Sequence, residues 1–473
     1  MLRRLRSVLP GLFLLPALAI AAPRAVPSVR QTALDRYVAA PDPSYNWKMA
    51  VSLRDDSATG YAIDLTSQTW RNTNDLNSPT WRHWLLVVKP DNLEHTTGLL
   101  FISGGGNKGT KPPTPSQELI RIAKATRCVV AELKMVPNQP LIMRNDGVER
   151  VEDDFIGWTW DQYLRTGDEL WPARLPMTKS AVRAMDTITA FLASEAGGKA
   201  TVDHFVVAGG SKRGWTTWTT AIVDDRVVAI CPIVIDVLNV EKSMLHHFQA
   251  YGFFAPAVGN YSEQHHIMDW LGTPEIHRLN QIEDPYEYRE RLTLPKLILN
   301  AAGDQFFLPD SSQFYFSELP GVKYLRYVAN TDHSMRNSDA YETLLAWQYV
   351  IANKKPFPKF GWSHGADGTL TVTAQDRPAT VVLWRGYNPA ARDFRLEAAG
   401  PVYQSVPMEE TAPGVYTAHV PKPDTGWMAY FAELTYDVGA ATPLKLTTDV
   451  RVTPDVLPFA APNPPRPKGF LSR

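Results

Sequence analysis

The sequence predicts an α/β fold, a mostly parallel sheet with helices on both faces, on two observations. Short, continuous apolar runs recur along the middle of the chain: "GLLFISGGG", "CVVAEL", "HFVVAGGS", "VVAICPIVID", "PKLILNAAGD" and "VKYLRYVAN". Several are β-branched and most end in glycine or a polar turn, which suits strands buried on both faces of a parallel sheet. Helical periodicity separates some of them. In "SAVRAMDTITAFLASEAGG", Val182, Met185, Ile188 and Leu192 fall near one face of a helix that Gly197 and Gly198 stop, and "SDAYETLLAWQYVIAN" is a second helix beyond the last such strand. Strand and helix in alternation place helices on both sides of the sheet.

The elements follow in order. "MLRRLRSVLPGLFLLPALAIAAP" carries arginines at 3, 4 and 6, then an apolar run and an Ala19-Ile20-Ala21 cleavage pattern. Residues 1–21 therefore read as a signal peptide, interrupted by Pro10 and Pro16 and too short for a comfortable membrane span. The expected location is periplasmic or secreted. The paired arginines admit a twin-arginine route, which their flanking residues do not support. The α/β domain is expected over 35–353. Two stretches rich in aromatic residues and histidine, about 133–179 and 237–294, follow predicted strands, so they read as lid insertions at the carboxyl edge of the sheet, where open α/β sheets place ligands. Beyond "NKKPFPKFGW" the runs alternate, with Met428, Tyr430, Ala432, Leu434 and Tyr436 at a period of two. That pattern predicts a small β-sandwich over 359–454 and a proline-rich tail over 455–473.

Composition excludes several function classes. The chain has 473 residues, is 44% hydrophobic and 21% charged, and has a formal net charge of −1, so nothing marks it for nucleic acid. No stable membrane span is expected after leader cleavage, and oligomeric state leaves no signature. Its two cysteines, Cys128 and Cys231, sit inside apolar runs and read as buried free thiols.

The chemistry centres on "HFVVAGGSKRGW". A serine hydroxyl needs a base to accept its proton, and it must project clear of the sheet. A sharp strand-to-helix turn achieves this and needs small residues where backbones pass closely. Gly209, Gly210 and Gly214 surround Ser211, although the second glycine of G-x-S-x-G comes one position late and Arg213 occupies its place. An ordinary glycine-rich turn is the competing reading of this stretch alone. Downstream, "PKLILNAAGDQFF" puts Asp304 just after a strand, and "VKYLRYVANTDHSM" puts His333 after the next. Ser211, Asp304 and His333 are thus in the Ser, Asp, His order of α/β-hydrolases. Asp310 competes with Asp304 but lies further from its strand, and Asp332 reads as a turn former. Oxyanion donors are expected from the backbone of Lys212 and of Gly105, Gly106 and Asn107 in "ISGGGNKG". A phosphate loop is the alternative there, without the lysine pattern that it needs. Trp158 and Trp160, with Trp171, are candidates for a substrate pocket, as is Arg213, which with Lys212 stands where an acidic group could bind. His246-His247 and His265-His266 lack the accompanying ligands of a metal site, and no metal or cofactor is expected.

With these residues in place the chain resembles the PhoPQ-activated pathogenicity-related proteins, a family of secreted α/β-hydrolase-like proteins. The likeness runs through "TALDRYVAAPDPSYNW", "FISGGGNKG", "AGGSKRGW", "IEDPYEYRERLTLPKLILNAAGDQFFLPDSSQFY" and "NTDHSM". It implies an α/β-hydrolase fold with Ser211, Asp304 and His333 in the triad positions, and carries no substrate with it. "GGSKRG" is also similar to the G-C-S-R-x-G elbow of glucuronoyl esterases, with Gly210 for their cysteine and Lys212 for their arginine. The expectation is a secreted serine hydrolase that cleaves an ester or amide of a small molecule or peptide. A peptidase acting on short peptides, or a non-catalytic binding or signalling protein on the same fold, are the alternatives.

Overall fold

The computed structural model describes residues 31–471. The expected signal peptide, residues 1–21, lies outside the described residues. The chain enters through α1 (Ala33–Ala39), whose first turn is closed by a Thr32–Asp35 capping box. Three antiparallel strands follow, β1 (Asn46–Asp55), β2 (Ala58–Thr69) and β3 (Thr80–Pro90). Next come β4 (Thr97–Ile102), α2 (Gln117–Thr126), β5 (Val130–Leu133) and the small hairpin of β6 (Leu141–Ile142) and β7 (Glu149–Arg150). Helices α3 (Glu152–Thr166) and α4 (Arg174–Ala193) lead into β8 (His204–Gly210), α5 (Lys212–Val223) and β9 (Val227–Ile233). After α6 (Val240–Tyr251) and α7 (Pro274–Glu283), the strands β10 (Lys296–Ala301) and β11 (Lys323–Val328) and helix α8 (Ala340–Ala352) complete this part.

The strands are ordered β1-β2-β3-β5-β4-β8-β9-β10-β11. From β5 to β11 every neighbouring pair is parallel, and the predicted runs are these strands. This is the α/β-hydrolase arrangement. Alternation along each strand divides the core. Phe205 and Val207 join α4 and α5 on one face, whereas Val206 and Ala208 join α2 and α8 on the other. Val182, Met185, Ile188 and Leu192 are all buried on α4, which begins well before the predicted segment. Cys128 and Cys231 are buried free thiols.

The C-terminal region holds β12 (Phe360–His364), β13 (Thr369–Ala374), β14 (Thr380–Asn388), the one-turn α9 (Leu396–Ala399), β15 (Tyr403–Pro407), β16 (Glu409–Ala412), β17 (Val415–His419), β18 (Trp427–Tyr436), β19 (Leu444–Thr447) and β20 (Arg451–Thr453). Two layers are present: β12-β13-β17-β16, and β19-β18-β14-β15, which continues the central sheet past β11 into one 14-stranded sheet. Leu370, Val372 and Tyr416 of the first layer share a core with Leu383, Tyr430, Ala432 and Leu434 of the second. The sequence pattern marks only one face of β18. The intervening Ala429 and Phe431 are buried as well, because they enter the core on the side of α4 and α5. The sandwich is therefore built onto the hydrolase sheet and shares its core.

The two insertions and the tail meet above the carboxyl ends of the strands. Trp160 on α3 packs against Tyr261 of the second insertion, and Asp154 accepts hydrogen bonds from Gln264 and His265. The tail runs across both: the Phe459 amide donates to the Gln249 carbonyl, the Arg466 amide to the Asp269 carbonyl, and Phe470 packs on Tyr163. Among the described residues no helix is long and apolar enough to cross a membrane.

Candidate active site

Ser211 sits between β8 and α5 with φ 57° and ψ −127°, a conformation that costs a non-glycine residue about 1–3 kcal/mol. Its amide donates to the Ile233 carbonyl at 2.8 Å and its carbonyl accepts from the Trp215 amide at 3.0 Å, so sheet and helix both hold the strained residue. The glycines explain how the turn closes. A Cβ on Gly209 would stand 2.8 Å from the Arg213 carbonyl oxygen, and one on Gly214 would stand 2.8 Å from the Ile233 carbonyl oxygen and 2.9 Å from that of Gly209. The late glycine is thus the residue that lets α5 lie against β8 and β9. Gly210 has nothing within 4 Å of its Cβ position.

Asp304 and His333 arrive from the loops after β10 and β11. Asp304 is buried; its Oδ1 accepts from the Phe306 amide at 2.7 Å, and His333 Nδ1 donates to its Oδ2 at 2.8 Å. That bond selects the tautomer with the lone pair on Nε2. The His333 amide donates to Gln305 Oε1 at 3.0 Å, and Phe306 packs 4.3 Å from the imidazole, ring centre to ring centre. Nε2 is buried and has no hydrogen-bond partner, so the bond to Ser211 is open in this conformation. Ser211 and His333 nonetheless line one cavity of about 270 Å³. Serine–base contacts of this kind commonly tighten only when substrate is bound.

The other candidate acids are occupied. Asp310 is buried against His246 Nε2 at 3.0 Å and Arg392 Nη2 at 2.6 Å. Burial alone would raise its carboxyl, but Arg392 and His246 hold it well below the usual carboxylate range. Asp332 accepts from the amide and hydroxyl of Ser334, closing a turn. His247 accepts from the Ala255 amide, and His266 pairs with Asp269.

Around the elbow, the Lys212 amide opens α5 next to Ser211, where the helix N-terminus favours negative charge. In the 103–107 loop, Gly105 has φ +116°, open to glycine and strained for other residues. The Asn107 amide is committed to the Gln139 carbonyl at 2.5 Å, and its side chain donates to Asn138 and the Pro140 carbonyl. The Asn107 amide is therefore already spent within the loop. Arg213 does not reach toward a ligand. Its guanidinium forks onto Glu152 at 2.7 and 2.6 Å, donates to the Val136 carbonyl at 2.5 Å and lies against Gly104, whose Cβ would clash with it. Lys212 Nζ also pairs with Glu152 at 2.8 Å and with Asp153 at 3.2 Å. Burial would raise the Glu152 carboxyl, but Arg213 and Lys212 together hold it well below the usual range. Both charges at the helix start thus tie the first lid to the elbow.

Trp160 lines a second, smaller cavity at Ser211, together with Tyr261, Phe306 and Phe307. Trp158 faces elsewhere, packed edge-on against Trp171 with centroids 5.2 Å apart and covered by the Arg150 guanidinium. Glu152, Phe306 and Phe307 are not among the residues expected from the sequence. Their only local signals are the acidic run "EDD" in the first insertion and an apolar pair one residue beyond Asp304.

Comparison with known proteins adds the family. The chain is 36% identical over 468 residues to Autocrine proliferation repressor protein A of Dictyostelium discoideum, covering 92% of this chain and 93% of that one. Among solved structures it is similar to acetyl xylan esterase 1 of Thermoanaerobacterium sp. at 14% identity, 68% of this chain, 92% of that chain and a TM-score of 0.43. It is likewise similar to a glucuronoyl esterase of Solibacter usitatus at 14% identity, 68% of this chain, 91% of that chain and a TM-score of 0.37. The family profile named PhoPQ-activated pathogenicity-related protein matches residues 34–395, and the chain belongs to that family.

Proposed function

We propose that this protein is a serine hydrolase that cleaves an ester or amide through an acyl-enzyme. The observation that carries the reading is His333. Its ring is held through Nδ1 by Asp304, which leaves Nε2 unbonded, and His333 lines the same cavity as a serine at the strained apex of a strand-to-helix turn. Ser211 Oγ attacks the substrate carbonyl carbon as its proton passes to His333 Nε2, and the Lys212 amide with the Gly105–Gly106 backbone receives the developing oxyanion. His333 then returns the proton to the leaving oxygen or nitrogen as its bond to the carbonyl carbon breaks. Water, deprotonated by the same Nε2, releases the acid and restores the serine. The basic, apolar leader supports action outside the cytoplasm.

The test is fluorophosphonate labelling of the purified protein, read by peptide mass spectrometry beside Ser211→Ala and His333→Ala. An adduct on Ser211 that is lost in both variants is expected. The likeness to a protein named as an autocrine proliferation repressor favours a second reading, an exported signalling protein that keeps the fold without using the triad. No adduct on a folded wild-type chain would transfer the assignment to that reading.

A further inference from the structure

We infer that the site selects substrates with a short apolar acyl group, about two to four carbons long, and a leaving group that is the larger half. The inference rests on the acyl-enzyme reading above. Ser211 borders two cavities of different size. One, of about 50 Å³, has Asp153, Arg174 and Lys212 in its lining and is otherwise walled mostly by apolar side chains, among them Met244, Met268 and Phe306. The other, of about 270 Å³, contains His333 and is bounded by Phe101, Ile233, Met335 and Tyr341.

The chemistry decides which half of the substrate enters which cavity. His333 must hand its proton to the leaving atom, so the leaving group lies in the cavity that contains His333. The acyl chain is the remaining substituent of the same tetrahedral carbon and must leave it in another direction, which puts it in the other cavity that Ser211 borders. An apolar cavity of about 150 Å³ holds the six carbons of benzene, so about 50 Å³ gives the small cavity room for about two or three carbons beyond the carbonyl. Its walls offer little give. Ile235, Val237, Met244 and Met268 are all buried, and close-packed side chains yield to an added methylene only by displacing neighbours. Met244 stands on α6 and Met268 in the following turn, so the acyl limit is set by the second lid.

The experiment uses the full chain with p-nitrophenyl esters from acetate to octanoate, and counts active sites by fluorophosphonate titration of Ser211. The expected result is kcat/KM greatest between acetate and butyrate and lower by about tenfold or more at octanoate. Met244→Ala, and separately Met268→Ala, should raise the octanoate-to-butyrate ratio by about fivefold or more, so the test survives if one variant fails to fold. Enlarging the alcohol from phenyl to naphthyl at constant acyl length should not lower kcat/KM. Octanoate turned over as well as butyrate by a chain whose Ser211 titrates fully would overturn the acyl limit and leave the hydrolase reading standing. No titration of Ser211 and no turnover of any ester would overturn both.

Discussion

Gly214→Ala and Gly210→Ala make a matched pair, because the two glycines lie on either side of Ser211 in one motif and meet opposite surroundings. At Gly214 the new methyl would approach the Ile233 and Gly209 carbonyl oxygens to 2.8 and 2.9 Å, and the Ile233 nitrogen to 3.1 Å. Those distances are about 0.5 Å short of ordinary contact, and every atom met is backbone, so relief requires α5 to move off β8 and β9. Overpacking of this kind costs about 1–3 kcal/mol. The elbow would feel it most, since Ser211 is held by the Ile233 carbonyl on one side and by the first turn of α5 on the other. A shift of that turn by about 1 Å would cost about 10² in reaction at the serine. At Gly210 the Cβ position is clear to 4 Å and φ is not positive, so alanine should leave stability within about 0.5 kcal/mol of wild type. The assay is urea unfolding followed by the rate of fluorophosphonate labelling of the folded fraction. Equal effects from the two alanines, or a Gly214→Ala chain that labels at the wild-type rate, would refute the packing account of the late glycine.

Further outcomes follow from the ion pairs and the proposed triad. Asp304→Asn should preserve the fold and reduce turnover by about 10⁴, because the amide can stabilise the wrong imidazole tautomer; unchanged turnover would remove Asp304 from the triad. Glu152→Gln leaves Arg213 without its carboxylate and Lys212 with Asp153 alone. The expected loss on urea unfolding is about 1–3 kcal/mol, below that of a fully buried pair because the Glu152 side chain is 39% exposed. An unchanged midpoint would show that the first lid is not tied to the elbow by this carboxylate. Burial raises the Asp236 carboxyl to about 7, against hydrogen bonds from Tyr315 and Tyr327 that favour its charged form. The folded chain therefore binds a proton that the unfolded chain has already released. This contribution is fully present below the ordinary carboxylate range and is lost as pH rises through about 7. Burial raises the Asp284 carboxyl to about 7 as well, whereas it lowers the His83 and His247 imidazoles to about 4 and about 3, so the histidines oppose the two carboxyls over the same range. The Asp236 contribution is therefore read as a difference: the stability of Asp236→Asn relative to wild type should rise as pH increases from about 4 to about 7. A difference that does not change with pH would sink the assignment to Asp236.

Three features are legible along the chain: where each parallel strand ends, that Ser211, Asp304 and His333 stand at three of those ends, and that two aromatic insertions interrupt the alternation. These features are local, since a buried strand needs a continuous apolar run and a tight turn needs glycine wherever a Cβ would meet backbone. Tertiary structure decided what each exposed-looking group is for. Arg213 and Lys212 look available to a ligand in one dimension, yet Glu152, far earlier in the chain, neutralises them across the lid. Asn107 belongs to the same glycine-rich run as Gly105 and Gly106, yet its amide is spent on Gln139. Trp158 and Trp160 are neighbours on α3 that point to different surroundings, because two residues turn a helix by about 200°. β18 reads as half-buried from its period of two, and only the pairing of β11 with β19 sets its other face against the hydrolase core. In each case the deciding partner is distant in sequence, and periodicity shows that a face is buried without showing what covers it.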